Sequence, residues 1–218
     1  IVGGGMRCAY VINGATLSGF TLTDGRTQEW DLHREVNIDH KGGGVMAEVS
    51  GVVTNCILRG NDAGFGGGAY GGILNNCTVS SNHVFGDGGG AYDSTLNRCT
   101  VVGNKASIRS VGVGNCTLNN CLMIRNDRLW KNMINNCTVF DDHLMENYSY
   151  IYDFVIDCVI KNSIVYMSRD SSHEGLTYHI GSSFENCCTV PLPEGEGNIT
   201  NAPQFVDAEG GDYRLMDG

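Results

Sequence analysis

One short phrase recurs seven times along this chain: an apolar residue, two polar residues, a small residue, and two β-branched or apolar residues. Its copies are VTNCIL (53–58), LNNCTV (74–79), LNRCTV (96–101), LNNCLM (118–123), INNCTV (134–139), IKNSIV (160–165) and FENCCT (184–189). A weaker eighth copy is INGATL (12–17). Self-similarity at a fixed period predicts a solenoid, in which each copy belongs to one turn.

The spacing of the copies indicates which solenoid this is. The small residue of each phrase serves as an anchor: Ala15, Cys56, Cys77, Cys99, Cys121, Cys137, Ser163 and Cys187. The steps between them are 41, 21, 22, 22, 16, 26 and 24 residues, and a step near 22 fits three short strands with their turns. The step of 41 fits either two rungs or one rung with a long loop. We predict an all-β fold, a single-stranded right-handed parallel β-helix of about eight or nine rungs.

Strand alternation assigns a direction to each position of the phrase. Side chains along a strand alternate between the two faces, so the anchor and the residue two places later face the interior. Stacked rungs lie about 4.8 Å apart, so equivalent residues form columns. Asn recurs in the two places before the anchor, as Asn75 and Asn76 show, and again five after it, as at Asn82. Because Asn tolerates left-handed backbone angles and its amide both donates and accepts, the columns before the anchor predict an Asn ladder at a corner, formed by Asn75, Asn119 and Asn135 or by their neighbours Asn76, Asn120 and Asn136. The repeated GGGAY (66–70 and 88–92) predicts glycine corners.

The ten cysteines fit the repeat better than they fit disulfides. Residues stacked about 4.8 Å apart are too distant for a disulfide, whose Cβ atoms lie about 3.8 Å apart. We therefore expect most of them, including Cys56 and Cys99, to be buried free thiols that pack as small hydrophobic side chains. Cys116 and Cys121 resemble half of a zinc site, but the repeat accounts for both, so no metal and no cofactor is predicted.

Composition excludes several classes of partner. The formal charge is −10, with 14 basic and 24 acidic residues, which argues against binding to nucleic acid or to an anionic membrane. No apolar run reaches the roughly 18 residues of a transmembrane helix. Residues 1–5 already read like the middle of a rung, so we expect further protein before Ile1 or a partner chain that covers this end.

The repeats resemble those of a known group of proteins. LNNCTVSSN and GGGAY are similar to the Cys- and Asn-rich repeats of bacterial right-handed parallel β-helix proteins of the pectate-lyase-like superfamily, and more distantly to polymorphic outer-membrane protein repeats. The segment from Cys187 to Leu215 resembles the one that closes such domains. The resemblance implies a secreted or cell-surface location. We expect rungs over 1–190 and a capping segment over 191–218, with Phe205 and Leu215 buried against the last rungs.

Three insertions near 23–41, 141–153 and 168–179 interrupt the rungs and carry most of the reactive side chains. Asp141 and Asp142 are adjacent and would point to opposite faces of a strand, unlike the paired carboxylates of glycosidases. They could join Arg169 in a calcium-dependent lyase site, but their spacing does not require it. His173, Glu174 and His179 lack the zinc-protease spacing.

Two functional hypotheses remain. The first is a non-catalytic surface or secreted module, either a glycan-binding adhesin or a structural stalk. The alternative is a carbohydrate-active enzyme, a polysaccharide lyase or glycoside hydrolase, with its site in the groove beside the irregular loops; a lyase would add calcium. The missing acid and base signatures favour the first. Aromatic rings stack on sugar rings and polar side chains hold hydroxyls. The candidate ligand-binding residues are Trp30, Arg34, Trp130, Tyr148, Tyr150, Tyr152 and Arg169.

Overall fold

The chain folds as an all-β parallel solenoid. The computed structural model describes residues 1–27, 37–107, 111–126, 128–141, 155–167, 179–189, 192–208 and 210–216. Three parallel sheets, each with eight strands, form its sides, and the chain passes through sheets 1, 2 and 3 in that order in every turn. The prediction of a parallel solenoid is confirmed.

The strands are two to four residues long, as a narrow solenoid requires. Sheet 1 contains Ala9–Val11, Val45–Ala47, Ala69–Tyr70, Ala91–Tyr92, Val113–Gly114, Leu129–Trp130, Val155–Ile156 and His179–Ile180. Sheet 2 contains Thr16–Ser18, Val52–Thr54, Ile73–Asn75, Thr95–Asn97, Thr117–Asn119, Met133–Asn135, Val159–Lys161 and Ser183–Glu185. Sheet 3 contains Thr21–Thr23, Ile57–Arg59, Thr78–Ser80, Thr100–Val102, Leu122–Ile124, Thr138–Asp141, Ile164–Met167 and Cys188–Thr189.

Smaller elements complete the described part of the chain. A short parallel sheet 4 contains Asp62–Ala63, His83–Val84 and Lys105–Ala106. An antiparallel hairpin contains Phe205–Asp207 and Asp212–Leu215. A 3-10 turn, Ile38–His40, is capped by the side chain of Asn37. No helix among the described residues is long and apolar enough to cross a membrane.

The regular part of the solenoid is about five turns long and extends from Val45 to Asp141. Its register follows the sequence repeat, since Leu96 lies opposite Leu74 on one side and Leu118 on the other. The connections to the remaining turns run through undescribed segments at 28–36, 142–154 and 168–178. The predicted count of eight or nine rungs and the right hand of the coil stay predictions, as do the boundaries of the rung and capping segments.

Each corner between two sheets combines a left-handed backbone residue with a small inward side chain. Before the anchors the left-handed residues are Asn55, Asn76, Arg98, Asn120, Asn136, Asn162 and Asn186, with φ between 49° and 54°. Asn adopts this conformation at lower cost than other residues with a Cβ, which explains its recurrence just before the anchor. A second corner places Asp93, Asn115, Lys131 and Asp157 in the same conformation, with φ of 52–55°.

The anchor thiols bond to the backbone at the corner between sheets 2 and 3. Cys99 shows the pattern: its Sγ accepts the backbone N–H of Cys77 at 3.4 Å and lies within bonding distance of the carbonyls of Leu74 and Asn97, at 3.5 and 3.4 Å. Ser163 takes the same role for Cys137. A thiol is small enough for the column and polar enough to satisfy a buried N–H. All ten cysteines are free thiols, and eight of them are buried, as predicted for most of them.

Two Asn ladders stabilise successive turns. Inside, the side chain of Asn82 donates to Asn104 Oδ1 at 2.9 Å and accepts from Asn61 Nδ2 at 3.0 Å, and Asn104 donates in turn to Asn126 at 2.9 Å. Outside, on sheet 2, a half-buried ladder runs from Asn75 to Asn135. The predicted stack of Asn75, Asn119 and Asn135 is confirmed, and the Asn residues five places after the anchor form a second ladder that was not predicted.

The register of the first turn differs from the prediction. Leu17 pairs with Val53, which places Phe20, not Ala15, opposite the anchor Cys56. Ala15 instead lies opposite Gly51, and the Phe20 N–H bonds to Cys56 Sγ at 3.4 Å. The prediction of Ala15 as an anchor is wrong, because the Asn-Gly turn at 13–14 imitates the repeat five residues too early. Since the first and second turns pair directly, the step from Phe20 to Cys56 is 36 residues and is one turn with an insertion, not two rungs.

The C-terminal segment has two structural roles. Residues 196–199 lie along the last turn, where Asn198 Oδ1 accepts the N–H of Cys187 at 3.0 Å and so continues the anchor column. The hairpin instead packs on the outer face of sheet 3, where Phe205 and Tyr213 contact Phe140, with ring centroids 5.9 and 4.7 Å apart. Burial of Phe205 is confirmed, whereas burial of Leu215 is wrong, since it is 55% exposed.

Candidate glycan-binding surface

Six of the seven predicted ligand-binding residues, Trp30, Arg34, Tyr148, Tyr150, Tyr152 and Arg169, lie outside the described residues. The seventh, Trp130, lies in sheet 1 with its side chain half-buried. The Nζ atom of Lys131 is 4.4 Å from the centroid of the Trp130 ring, which is a cation–π contact. Trp130 is the one predicted ligand-binding residue that lies among the described residues.

Trp130 belongs to a column of outward-facing side chains on sheet 1. Strand alternation buries Ala91 and Leu129 and turns the next residue of each strand outward. From the first turn to the last, the outward positions are Tyr10, Met46, Tyr70, Tyr92, Gly114, Trp130, Ile156 and Ile180. We call Tyr10, Tyr70, Tyr92 and Trp130 the aromatic column.

The two central rings of the aromatic column, Tyr70 and Tyr92, hold each other in place. Tyr70 and Tyr92 stack with centroids 5.9 Å apart and an interplanar angle of 25°. Phe65 meets Tyr92 edge-on at 6.1 Å, and the Nζ atom of Lys41 lies 4.4 Å from the centroid of the Tyr70 ring. Contacts between rings in these geometries contribute about 0.5–1.5 kcal/mol beyond their buried area, so the centre of the column is preorganised.

Gly114 makes room for this arrangement. A Cβ atom at Gly114 would lie 3.1 Å from two carbons of the Tyr92 ring and 2.8 Å from a methyl group of Val111. The backbone of Gly114 is not left-handed, so space rather than conformation requires glycine. The Tyr92 ring therefore lies against the sheet between its own strand and that of Trp130.

A row of exposed polar side chains runs beside the aromatic column. It consists of the next residue in each turn, Asp93, Asn115, Lys131 and Asp157, and we call it the polar row. Asp93 connects the two features, because its Oδ2 accepts the Tyr70 hydroxyl at 2.7 Å while its Oδ1 accepts Asn115 Nδ2. In the first turns Glu48 takes a similar position, where it accepts the Tyr10 hydroxyl at 2.7 Å.

Burial tunes the ionisable groups of the surface. Burial, together with the nearby carboxylates Asp87 and Asp93, raises the pKa of Tyr92 to about 12, and burial followed by the Asp93 hydrogen bond raises the pKa of Tyr70. Both phenols are therefore neutral near pH 7. Burial also raises the pKa of Asp87, although its carboxylate accepts the N–H of Val111 at 3.2 Å.

A second polar cluster lies on sheet 4. His83 Nδ1 is 3.3 Å from Asp62 Oδ1, and Lys105 lies in the next turn of the same outer column. The ring of Phe85 packs edge-on against His83 at 5.5 Å. The described part of the chain contains no group of three acidic, His or Cys side chains that could hold a metal ion.

The sequence contained a signal for the aromatic column that the prediction did not use. GGGAY repeats with a step of 22 residues, which by itself stacks Tyr70 on Tyr92. Trp130 belongs to the same column, but it follows Gly114 by 16 residues instead of 22, so only the observed strand pairing of Gly114 with Trp130 reveals its place. Comparison with protein-family models, curated proteins and solved structures finds no match to this chain.

Proposed function

We propose that this protein is a non-catalytic, secreted or cell-surface β-solenoid module that binds a glycan on the outer face of sheet 1. The observation that carries the proposal is the aromatic column beside the polar row, with Tyr92 and Trp130 next to Asp93 and Asn115. Aromatic rings offer an apolar face to a sugar ring, and carboxylates and amides bond to hydroxyls, so the two features complement a carbohydrate.

The solenoid suits this role because it holds the surface rigid. The backbones of adjacent turns pair in parallel at every strand of sheet 1, about 4.8 Å apart, and this fixes the positions from which the rings project. A preorganised surface loses little side-chain entropy when it binds an extended chain. The eight or nine right-handed rungs of the full solenoid remain part of this proposal, which the eight strands of each sheet support.

Affinity electrophoresis or calorimetry against a panel of soluble polysaccharides tests the proposal. We expect Tyr92→Ala and Trp130→Ala each to weaken binding about tenfold, which corresponds to about 1.4 kcal/mol. Phe85→Ala is the matched control, since Phe85 is 43% exposed but follows the sheet 4 strand His83–Val84 and packs against His83. Equal loss in all three variants, or no binding by the wild type, would overturn the proposal.

A carbohydrate-active enzyme is the second candidate function. The observation that favours it is Asp87, a half-buried carboxyl close to Tyr92 whose pKa is raised by burial. A carboxyl with a raised pKa is the property required of a general acid in glycoside hydrolysis. A reducing-end assay on the same polysaccharides, with and without calcium, decides between the two. Release of sugar by the wild type that is lost in Asp87→Asn would favour the enzyme.

A further inference from the structure

The charges beside the aromatic column are mostly negative. Along the described part of sheet 1, Glu48, Asp87, Asp93 and Asp157 lie beside the column or in the turns next to it. Carboxylates repel an anionic ligand but accept hydrogen bonds from neutral hydroxyls. The net charge of the whole chain, −10, adds to this repulsion.

The cations of the surface are placed over rings rather than in the open. Lys41 and Lys131 each lie with Nζ 4.4 Å from the centroid of a column ring, Tyr70 and Trp130. Each ammonium group thus covers a ring face on which a sugar would stack. The guanidinium of Arg7, at the start of the same sheet, is occupied by the backbone carbonyls of Ile38 and Lys41. None of these three cations is arranged to receive a carboxylate or sulfate.

We infer that the surface selects a neutral polysaccharide, with the Asp93 carboxylate accepting sugar hydroxyls and Lys131 covering the Trp130 ring until the sugar displaces it. This inference rests on the proposed function, since it names the class of ligand for the same surface. Asp93 is well placed for the role because it is exposed and already oriented by Tyr70 and Asn115.

Two charge variants give opposite results for the two ligand classes. Asp93→Asn introduces an amide of the same shape, which tolerates the left-handed backbone at this position, where φ is 55°. It removes the charge and replaces one of the two acceptor oxygens, which bond to Tyr70 and Asn115, with an NH2 donor. For a neutral ligand, we expect it to weaken binding about tenfold, because hydrogen bonds to a charged acceptor are the stronger ones. Lys131→Ala uncovers the Trp130 ring, so affinity should stay the same or rise.

The experiment compares the binding affinities of these variants and of the wild type for two sets of probes. The neutral probes are hydroxyethylcellulose, galactomannan and laminarin, and the anionic probes are polygalacturonate and alginate. Each measurement is made in 0.15 M salt, once with EDTA and once with calcium. Binding to a neutral probe with the expected changes supports the inference, provided that both variants melt at the wild-type temperature. Preferential binding to an anionic probe, or weaker binding by Lys131→Ala, overturns it while the glycan-binding function stands. Failure of every probe to bind overturns both.

Discussion

Replacing Asn82 with Ala removes the centre of the buried ladder. The Asn82 side chain is 1% exposed and makes four hydrogen bonds. Its Oδ1 accepts the backbone N–H and the Nδ2 group of Asn61, each at 3.0 Å, and its Nδ2 donates to the Leu58 carbonyl at 3.0 Å and to Asn104 at 2.9 Å. The variant therefore leaves a buried backbone N–H, that of Asn61, without this acceptor.

The magnitude follows from these bonds. An orphaned buried N–H costs about 1–3 kcal/mol, and each of the other three hydrogen bonds contributes about 1 kcal/mol. We expect Asn82→Ala to lower the free energy of unfolding by about 4–6 kcal/mol. The matched control is Asn97→Ala, on the outer ladder, where the half-buried side chain makes two ladder bonds that water can replace. That variant should cost about 1 kcal/mol.

Urea unfolding followed by circular dichroism measures both variants. The comparison requires equal slopes of free energy against urea, since a changed slope would indicate loss of two-state behaviour in a repeat fold. If Asn82→Ala costs no more than Asn97→Ala, burial of the amide contributes nothing, and the explanation of the inner ladder is refuted.

Three further predictions concern the thiols and the hairpin. Burial raises the folded-state pKa of Cys116 to about 12 and of Cys158 to about 11. The stability that their neutral thiols contribute should therefore be complete below about pH 9 and be lost as the pH rises towards 12. Midpoints of urea unfolding measured against pH should show this loss, and Cys116→Ser should make the dependence on pH weaker. Cys99→Leu should overpack the anchor column and cost about 1–3 kcal/mol, whereas Cys99→Ser, the residue found at Ser163, should cost less; equal costs in urea would count against the column. Phe205→Ala should release the hairpin and speed its proteolysis, while Leu215→Ala, at an exposed position, should match the wild type; protection of the hairpin in both variants would contradict its docking on Phe140.

The repeat made most of the fold predictable. Because a period near 22 brings equivalent residues together, the columns of Cys99 and Asn82 followed from spacing alone. The first turn was misread because local similarity at Ala15 competed with a register that only pairing to Val53 decides. The packing of the hairpin depends on Phe140, whose outward direction is visible in the sequence but whose partner is not.

The candidate surface was predicted only in part. The sequence indicates Trp130 as an aromatic residue beside an irregular segment, but it does not indicate the neighbours of Trp130. The repeated GGGAY predicts a glycine corner, and the same repeat also implies the stacking of Tyr70 on Tyr92 that the structure shows. The role of Gly114 depends on the tilt of the Tyr92 ring, which no pattern of residue types encodes.

The most direct test of the account is the indole N–H resonance of Trp130 during titration with neutral hexasaccharides. The chain has two Trp residues, so loss of one peak in Trp130→Phe assigns the signal. We expect a saturable shift of the Trp130 resonance with at least one neutral hexasaccharide and a weaker response in Asp93→Asn. Binding that leaves the Trp130 resonance unmoved, or no binding by any hexasaccharide, would contradict the proposed surface.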